Sequence, residues 1–261
     1  MANTINKKQN LAMQALLKRQ DYLVTQGNDL ARAFGNLTSF EHKVLDYCFS
    51  FVKSDSKLEE AFNVSTSDIL HHLGLSSQGK NYRRVGEAFK RLNEQTALYL
   101  SFKNQGGKVV LRMAQLFEYI DFVEDGAIHF KFSRPAAPYV FQLRKNFYSF
   151  HLSELANVRS KYALTMMKLW NANSNGKLES TSIKGSIADW QSWFLGSNSH
   201  GDPIHWQSGR FKQKVLGTAI SELGKLYPQT LFTLMTNKQG RAVTGYQLDI
   251  TNIGSGANFP R

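Results

Sequence analysis

Apolar positions recur at helical spacing in some stretches and alternate in others, and the two patterns follow one another in a repeated order. In "LTSFEHKVLDYCFSFV", Phe40, Val44, Leu45, Cys48, Phe51 and Val52 fall on one helical stripe, because residues three and four apart share a face. Thr38 followed by Glu41 supplies a capping box at its start. Ser65 and Asp68 open a second helix in "STSDILHHLGL", which Gly74 stops. The third, "GKNYRRVGEAFKRLNEQ", gathers Val85, Ala88, Phe89 and Leu92 on one side. Alternation then takes over: "ALYLSFKNQGGKVVLRM" reads as two strands about a Gly-Gly turn. "LFEYIDFVEDGAIHFKFS" reads as a further hairpin turned at Asp125-Gly126.

Around Arg134 the composition changes, and "SRPAAPYVFQLRKN" holds two of the five prolines. It reads as a connection with a short helix after Pro138. The earlier order then returns. A helix reaches to about Asn171, a second lies in "SIADWQSWFLG" and a third in "RFKQKVLGTAISELGKL". "TLFTLMTNKQGRAVTGYQLDI" follows as two strands around a glycine turn. A shift of 134 residues places Gln95-Thr96 on Gln229-Thr230 and Gln105-Gly106 on Gln239-Gly240 without a gap. It also sets Val85, Phe89 and Leu92 opposite Ala219, Leu223 and Leu226.

Agreement of apolar positions, turn and strand order points to duplication of one module. Three helices and a hairpin in that order make a winged helix. The expected class is therefore α+β, mainly α, with two tandem winged-helix domains. The expected boundaries are a basic segment over 1–30, domains over 31–134 and 135–252, and a flexible tail over 253–261. Residues about 10–20 read as a short basic helix.

On the helical wheel, the side of the first third helix opposite its apolar residues collects Lys80, Arg83, Glu87, Lys90 and Arg91, with Arg84 at the margin. In the second module Arg210, Lys214, Gly217, Ser221 and Lys225 lie opposite the apolar side, with Gln213 at one edge. A solvated charged face accounts for most such runs. Here the run recurs on the third helix of both modules, the element that enters the major groove in helix-turn-helix proteins. Arg and Lys there reach guanine edges or phosphates, and Gln213 and Asn81 have the chemistry to read adenine. Lys103 and Lys108 flank the first hairpin turn, and Lys238 and Arg241 the second. Basic wing tips suit phosphate or minor-groove contact.

The charge balance supports a polyanionic partner. Thirty-two Lys and Arg against 20 Asp and Glu leave a formal +12, which favours binding driven by counterion release. Cys48 is the sole cysteine, so an internal disulfide and a thiolate zinc cluster are ruled out. The N-terminus lacks a continuous apolar run and no segment approaches membrane-spanning length, so a cytoplasmic protein without a membrane partner is expected. "GKNYRR" lacks the spacing of a nucleotide-binding loop, and none of the seven histidines stands in a His-apolar-His triplet of the kind a rolling-circle nicking enzyme needs. Neither an active site nor a cofactor site is expected.

With the modules in place, the sequence resembles the theta-type plasmid replication initiator family over roughly residues 30–250. The resemblance is strongest in "PYVFQLRKNFYSFHLSELANVRSKYALTMMKLW", which has the L-x-S-x-Y-A character of the family's long helix. It is equally strong in "RFKQKVLGTAISELGKLYPQTLFTLMTNKQGRAV", which looks like the family's recognition helix and "GR" wing. A departure is "TMMKLW", where the family often carries R-L-Y-E-L.

The resemblance implies two winged-helix domains that bind origin repeats called iterons as monomers, open an AT-rich region and recruit a host initiator and helicase. It also implies an operator-binding homodimer that represses its own gene, joined largely through the first domain. Carried over to this chain, the second-domain DNA contacts fall on Arg210, Lys212, Gln213 and Lys214. Two alternatives stand beside this reading: a winged-helix transcriptional regulator without origin activity, and a nicking enzyme, which the missing histidine triplet disfavours.

Overall fold

The first helix, α1 (Ser39–Ser50), begins at the expected capping box: Glu41 N–H donates to Thr38 Oγ1 at 3.4 Å and Thr38 N–H to Glu41 Oε2 at 2.7 Å. The computed structural model describes residues 30, 33–52, 56–141, 157–174, 180–198 and 202–253. The expected helix near 10–20 and nearly all of the tail lie outside these residues.

Val44, Leu45, Cys48 and Val52 of the predicted stripe are buried, with Phe40 and Phe51 packed at its margin. The polar side of α1 is buried as well, at Glu41, His42 and Asp46. A strand too short to announce itself by alternation, β1 (Phe62–Ser65), precedes α2 (Thr66–His72). Ser65 Oγ caps α2 by accepting from Asp68 N–H at 3.0 Å, and Gly74 closes it at φ +66°, a backbone conformation that glycine adopts without steric cost.

Next come α3 (Gly79–Gln95) and the hairpin β2 (Ala97–Lys103) and β3 (Val109–Gln115). A second hairpin, β4 (Phe117–Phe122) and β5 (Ala127–Phe132), turns where expected, with Gly126 at φ +90° and Ala127 N–H on Asp125 Oδ1 at 2.9 Å. β1 pairs with β5, so one sheet runs β1-β5-β4 while β2-β3 stands apart. Phe49, Phe62, Phe117, Phe130 and Phe132 stack at the centre of this first core, each burial contributing about 1.5–3 kcal/mol. A short helix begins at 137–141, after the predicted break.

In the second half, α4 (Lys161–Asn173) is buried at every position from Ala163 to Ala172. All-round burial suits a helix with neighbours on several sides, and α4 packs both on α1 and on the last helix of the chain. β6 (Thr181–Ser186), another strand the pattern does not reveal, leads into α5 (Ile187–Leu195) through a Ser186–Asp189 capping box. The expected third helix runs on without a break but holds a π-helical turn. α6 (Ser208–Phe211), the turn (Lys212–Leu216) and α7 (Gly217–Leu226) follow one another, with right-handed helical backbone at each junction.

β7 (Thr230–Gln239) and β8 (Ala242–Asn252) form the wing, and the sheet order is β6-β8-β7. Trp170, Trp190, Phe194, Phe211 and Tyr246 fill the second core, and Trp190 Nε1–H donates to Tyr246 O at 3.0 Å. Leu226, expected on the apolar side, is exposed near the helix end. Both halves thus run helix, strand, helix, helix, strand, strand. The first half adds β4 and β5.

Candidate nucleic-acid interface

In the first domain α3 turns Val85, Ala88, Phe89 and Leu92 inward, which sends its cationic residues outward. The structure divides that set by what each side chain touches. Lys80 and Arg83 are exposed at the helix start beside exposed Tyr82. The Arg84 guanidinium lies over the Phe40 ring at 4.0 Å from its centroid. Lys90 pairs with Glu94 at 3.9 Å. Arg91 Nε meets Glu41 Oε1 at 3.0 Å, so one carboxylate both caps α1 and anchors α3.

Asn81 departs from expectation. It is buried, and its Nδ2 donates to Ser76 O at 2.8 Å and lies 3.2 Å from Ser76 Oγ. Its amide is engaged in closing the turn before α3 and is withdrawn from any groove.

The second domain presents its polar row differently. Phe211, Val215, Ala219 and Leu223 are all fully buried, and they recur every four residues. On a regular helix that spacing drifts about 40° per step. A π-helical turn winds more slowly and takes up the drift; here Gly217 N–H returns to Lys212 O. Lys212, Gln213 and Lys214 therefore sit on the widened turn, all exposed.

Arg210 leans its guanidinium over the Trp206 ring at 4.2 Å, and Lys212 Nζ donates to Thr236 Oγ1 on β7 at 2.9 Å. Two cations are thus held in fixed directions, one by an aromatic platform and one by the wing. Trp206 and Thr236 were not among the predicted residues. The four-residue step from Trp206 to Arg210 is the signal for the first, whereas the second is a contact between residues 24 apart. Lys225 is exposed toward the far end of α7.

The wings complete the surface. Asn104 Oδ1 accepts from Gly106 N–H and Lys108 N–H, both at 3.0 Å, and Gly107 takes φ +72°. This tight turn holds Lys103 and Lys108 at the two mouths of the hairpin, both exposed. In the second wing Gly240, at φ +61°, turns the chain between exposed Lys238 and Arg241, with a register shift at Asn237/Lys238. Among the described residues no group of three or more His, Cys, Asp or Glu comes together to hold a metal, and no helix is long and apolar enough to cross a membrane.

This arrangement can be set beside known proteins. A comparison of the sequence with curated proteins returns no match. Among solved structures, the chain is similar to the Pi initiator protein crystallised with iteron DNA. TM-score is 0.62 and identity 17%, covering 85% of this chain and 93% of that one. It is also similar to domains 2 and 3 of RctB, with a TM-score of 0.51 and 12% identity, covering 84% of each chain. At these identities the likeness speaks for the fold. Family models reach further. The WH1 domain of the initiator replication proteins matches residues 23–171, and the WH2 domain of the same proteins matches residues 186–250. The order of elements, the two cationic third helices and both domain matches agree: this chain belongs to the family of initiator replication proteins, with WH1 first and WH2 second.

Proposed function

We propose that the chain initiates replication of the DNA that carries its gene by reading repeated origin sequences with both winged-helix domains. The observation that carries this reading is the row Arg210, Lys212, Gln213 and Lys214, exposed beside a basic wing and partly oriented by Trp206 and Thr236. A side chain already held in position loses less entropy on binding. In this reading Arg210, Gln213 and Lys214 meet base edges, and Lys212 and Lys225 support them at the backbone.

Lys103, Lys108, Lys238 and Arg241 contact phosphates or the minor groove from the wings. The first domain adds Lys80 and Arg83, with Arg84, Lys90 and Arg91 in supporting positions. We place the domains at residues 31–134 and 135–252, and two separate buried cores support this: the first draws on residues 30–140 together with Ala172, the second on residues 158–250. Bound protein opens an adjacent AT-rich region and recruits a host initiator and helicase in the cytoplasm, without chemistry or a cofactor of its own. The family relationship also supports a homodimer that represses its own gene from an operator.

Footprinting on DNA flanking the gene tests this. Tandem direct repeats of about 20 base pairs are expected, near two turns of duplex for two domains. Protection of one palindrome alone, with no effect of the protein on replication, would instead establish a transcriptional regulator.

A further inference from the structure

We infer that a buried polar joint between the two domains, centred on Lys168, sets the spacing at which the two DNA-facing helices meet a two-part site. This rests on the DNA reading above and adds residues that touch no DNA.

The joint is a continuous line of contacts from one cationic helix to the other. Arg91 on α3 holds Glu41 on α1. Asp46, one turn and a half farther along α1, takes the Lys168 ammonium of α4 at 2.6 Å, and His42 Nδ1 lies 3.3 Å from the same Nζ. All three are buried. At the start of α4, Glu222 from α7 accepts from Ser160 N–H at 3.0 Å and from Arg159 N–H. The order is therefore α3, α1, α4, α7, with a directional contact at each step.

A second set of contacts closes the same interface from the side. Lys161 Nζ donates to Gly35 O at 2.9 Å, and Ser197 N–H donates to Asn36 Oδ1 at 2.7 Å. Glycines let the backbones approach. A Cβ on Gly35 would stand 2.8 Å from both Gly196 N and Ser192 O, and one on Gly196 would stand 1.8 Å from Asn36 Oδ1.

Hydrophobic contact alone tolerates sliding, because it lacks direction. A buried ion pair does not slide, since either charge left without its partner is strongly disfavoured. One end of this pair sits on α1, which packs into the first core, and the other on α4, which packs mainly into the second, so it specifies a single relative placement of the two cores. A base pair advances the duplex by about 3.4 Å and turns it by about 34°. Fixed placement of the helices therefore becomes discrimination between spacings.

The test uses the full chain, DNA selected in vitro by the unaltered protein, and derivatives with one base pair inserted or removed between the two protected halves. The unaltered protein loses about 10-fold or more on each change of spacing. K168M binds the selected DNA about 10-fold more weakly, because the second domain no longer meets its half at high effective concentration, and then loses little further when the spacing changes. N36A, which leaves no buried charge behind, shows the same flattening if K168M does not fold.

Spin labels at Asn93→Cys and Thr244→Cys, with buried Cys48 left in place, report the joint without DNA. A narrow distance distribution should broaden in both variants. A distribution that stays narrow, or a spacing profile that stays steep, overturns the proposal. Failure of the unaltered protein to select any sequence overturns the DNA reading instead, and the label distances still judge the joint.

Discussion

The two third helices solve the same problem in different ways. In the first domain, Val85, Ala88, Phe89 and Leu92 keep helical spacing, so α3 is an uninterrupted helix of 17 residues. Much of its cationic face is tied to the domain itself, through Phe40, Glu41 and Glu94. In the second, apolar residues every four positions force a π-helical turn, and Arg210 and Lys212 are propped toward solvent by Trp206 and Thr236. Equal charge on two helices therefore does not mean equal support, although all of these cations are exposed. On α3 Arg84 and Arg91 are held by groups of α1 and Lys90 by Glu94 of its own helix, whereas in the second domain Arg210 rests on Trp206 and Lys212 bonds the wing.

The sheets differ in the same sense. β6 joins the wing through β8, bringing Gly185 and Gly245 so close that a Cβ on Gly245 would lie 2.3 Å from Gly185 O. In the first domain β1 pairs with β5 instead, and the wing stands as a separate two-stranded ribbon.

The largest way to break this comparison is to remove the pillar of the second core. Trp190→Ala is expected to cost about 3–5 kcal/mol, unfolding the second domain in thermal melts ahead of the first; an equal loss in both would mean that they melt as one unit. Next, Arg210→Ala should weaken binding to the selected site by about 1–3 kcal/mol and relax the preferred base. Arg83→Ala should mainly lower the salt slope, by about one unit. Equal weakening on random DNA by Arg210→Ala would move that residue to phosphate and erase the difference between the helices.

The smallest effect concerns the helix that serves both domains. Burial, then the charges of Lys168 and Lys161, holds the His42 imidazole well below its ordinary range. The folded chain thus declines a proton that the unfolded chain takes below about pH 6.5. Stability should fall on acidification through that window, by up to about 1.4 kcal/mol per pH unit. Asp46, raised chiefly by burial, acts in the opposite sense and favours the fold toward lower pH. H42Q should flatten the decline between pH 6.5 and 5 in a series of thermal melts; an unchanged profile would assign the titration elsewhere.

Much of the fold is legible from pattern. The capping box at Thr38, the stop at Gly74, the turns at Asp125-Gly126 and Gln239-Gly240, and both wings lie where local rules put them, because each depends on neighbours within a few residues. β1 escaped because four residues hold too little alternation, and β6 because TSIKGS carries a single large apolar residue; their partners lie 62 to 68 and 59 to 69 residues away. For the candidate site, exposure of Lys80, Arg83 and the row around Lys214 followed from the apolar side of each helix. Burial of Asn81 did not, since the groups it bonds belong to the preceding turn.

By itself, then, the sequence determined two winged-helix modules in tandem, their inward faces and a cationic character suited to DNA, because periodicity and charge are properties of neighbours along the chain. Tertiary structure alone decided which neighbouring groups hold each cation, and how the halves meet. His42, Asp46 and Lys168 look like ordinary polar positions in isolation. They become a joint only when α1 and α4, some 120 residues apart, close over them and exclude the water that would have screened their charges.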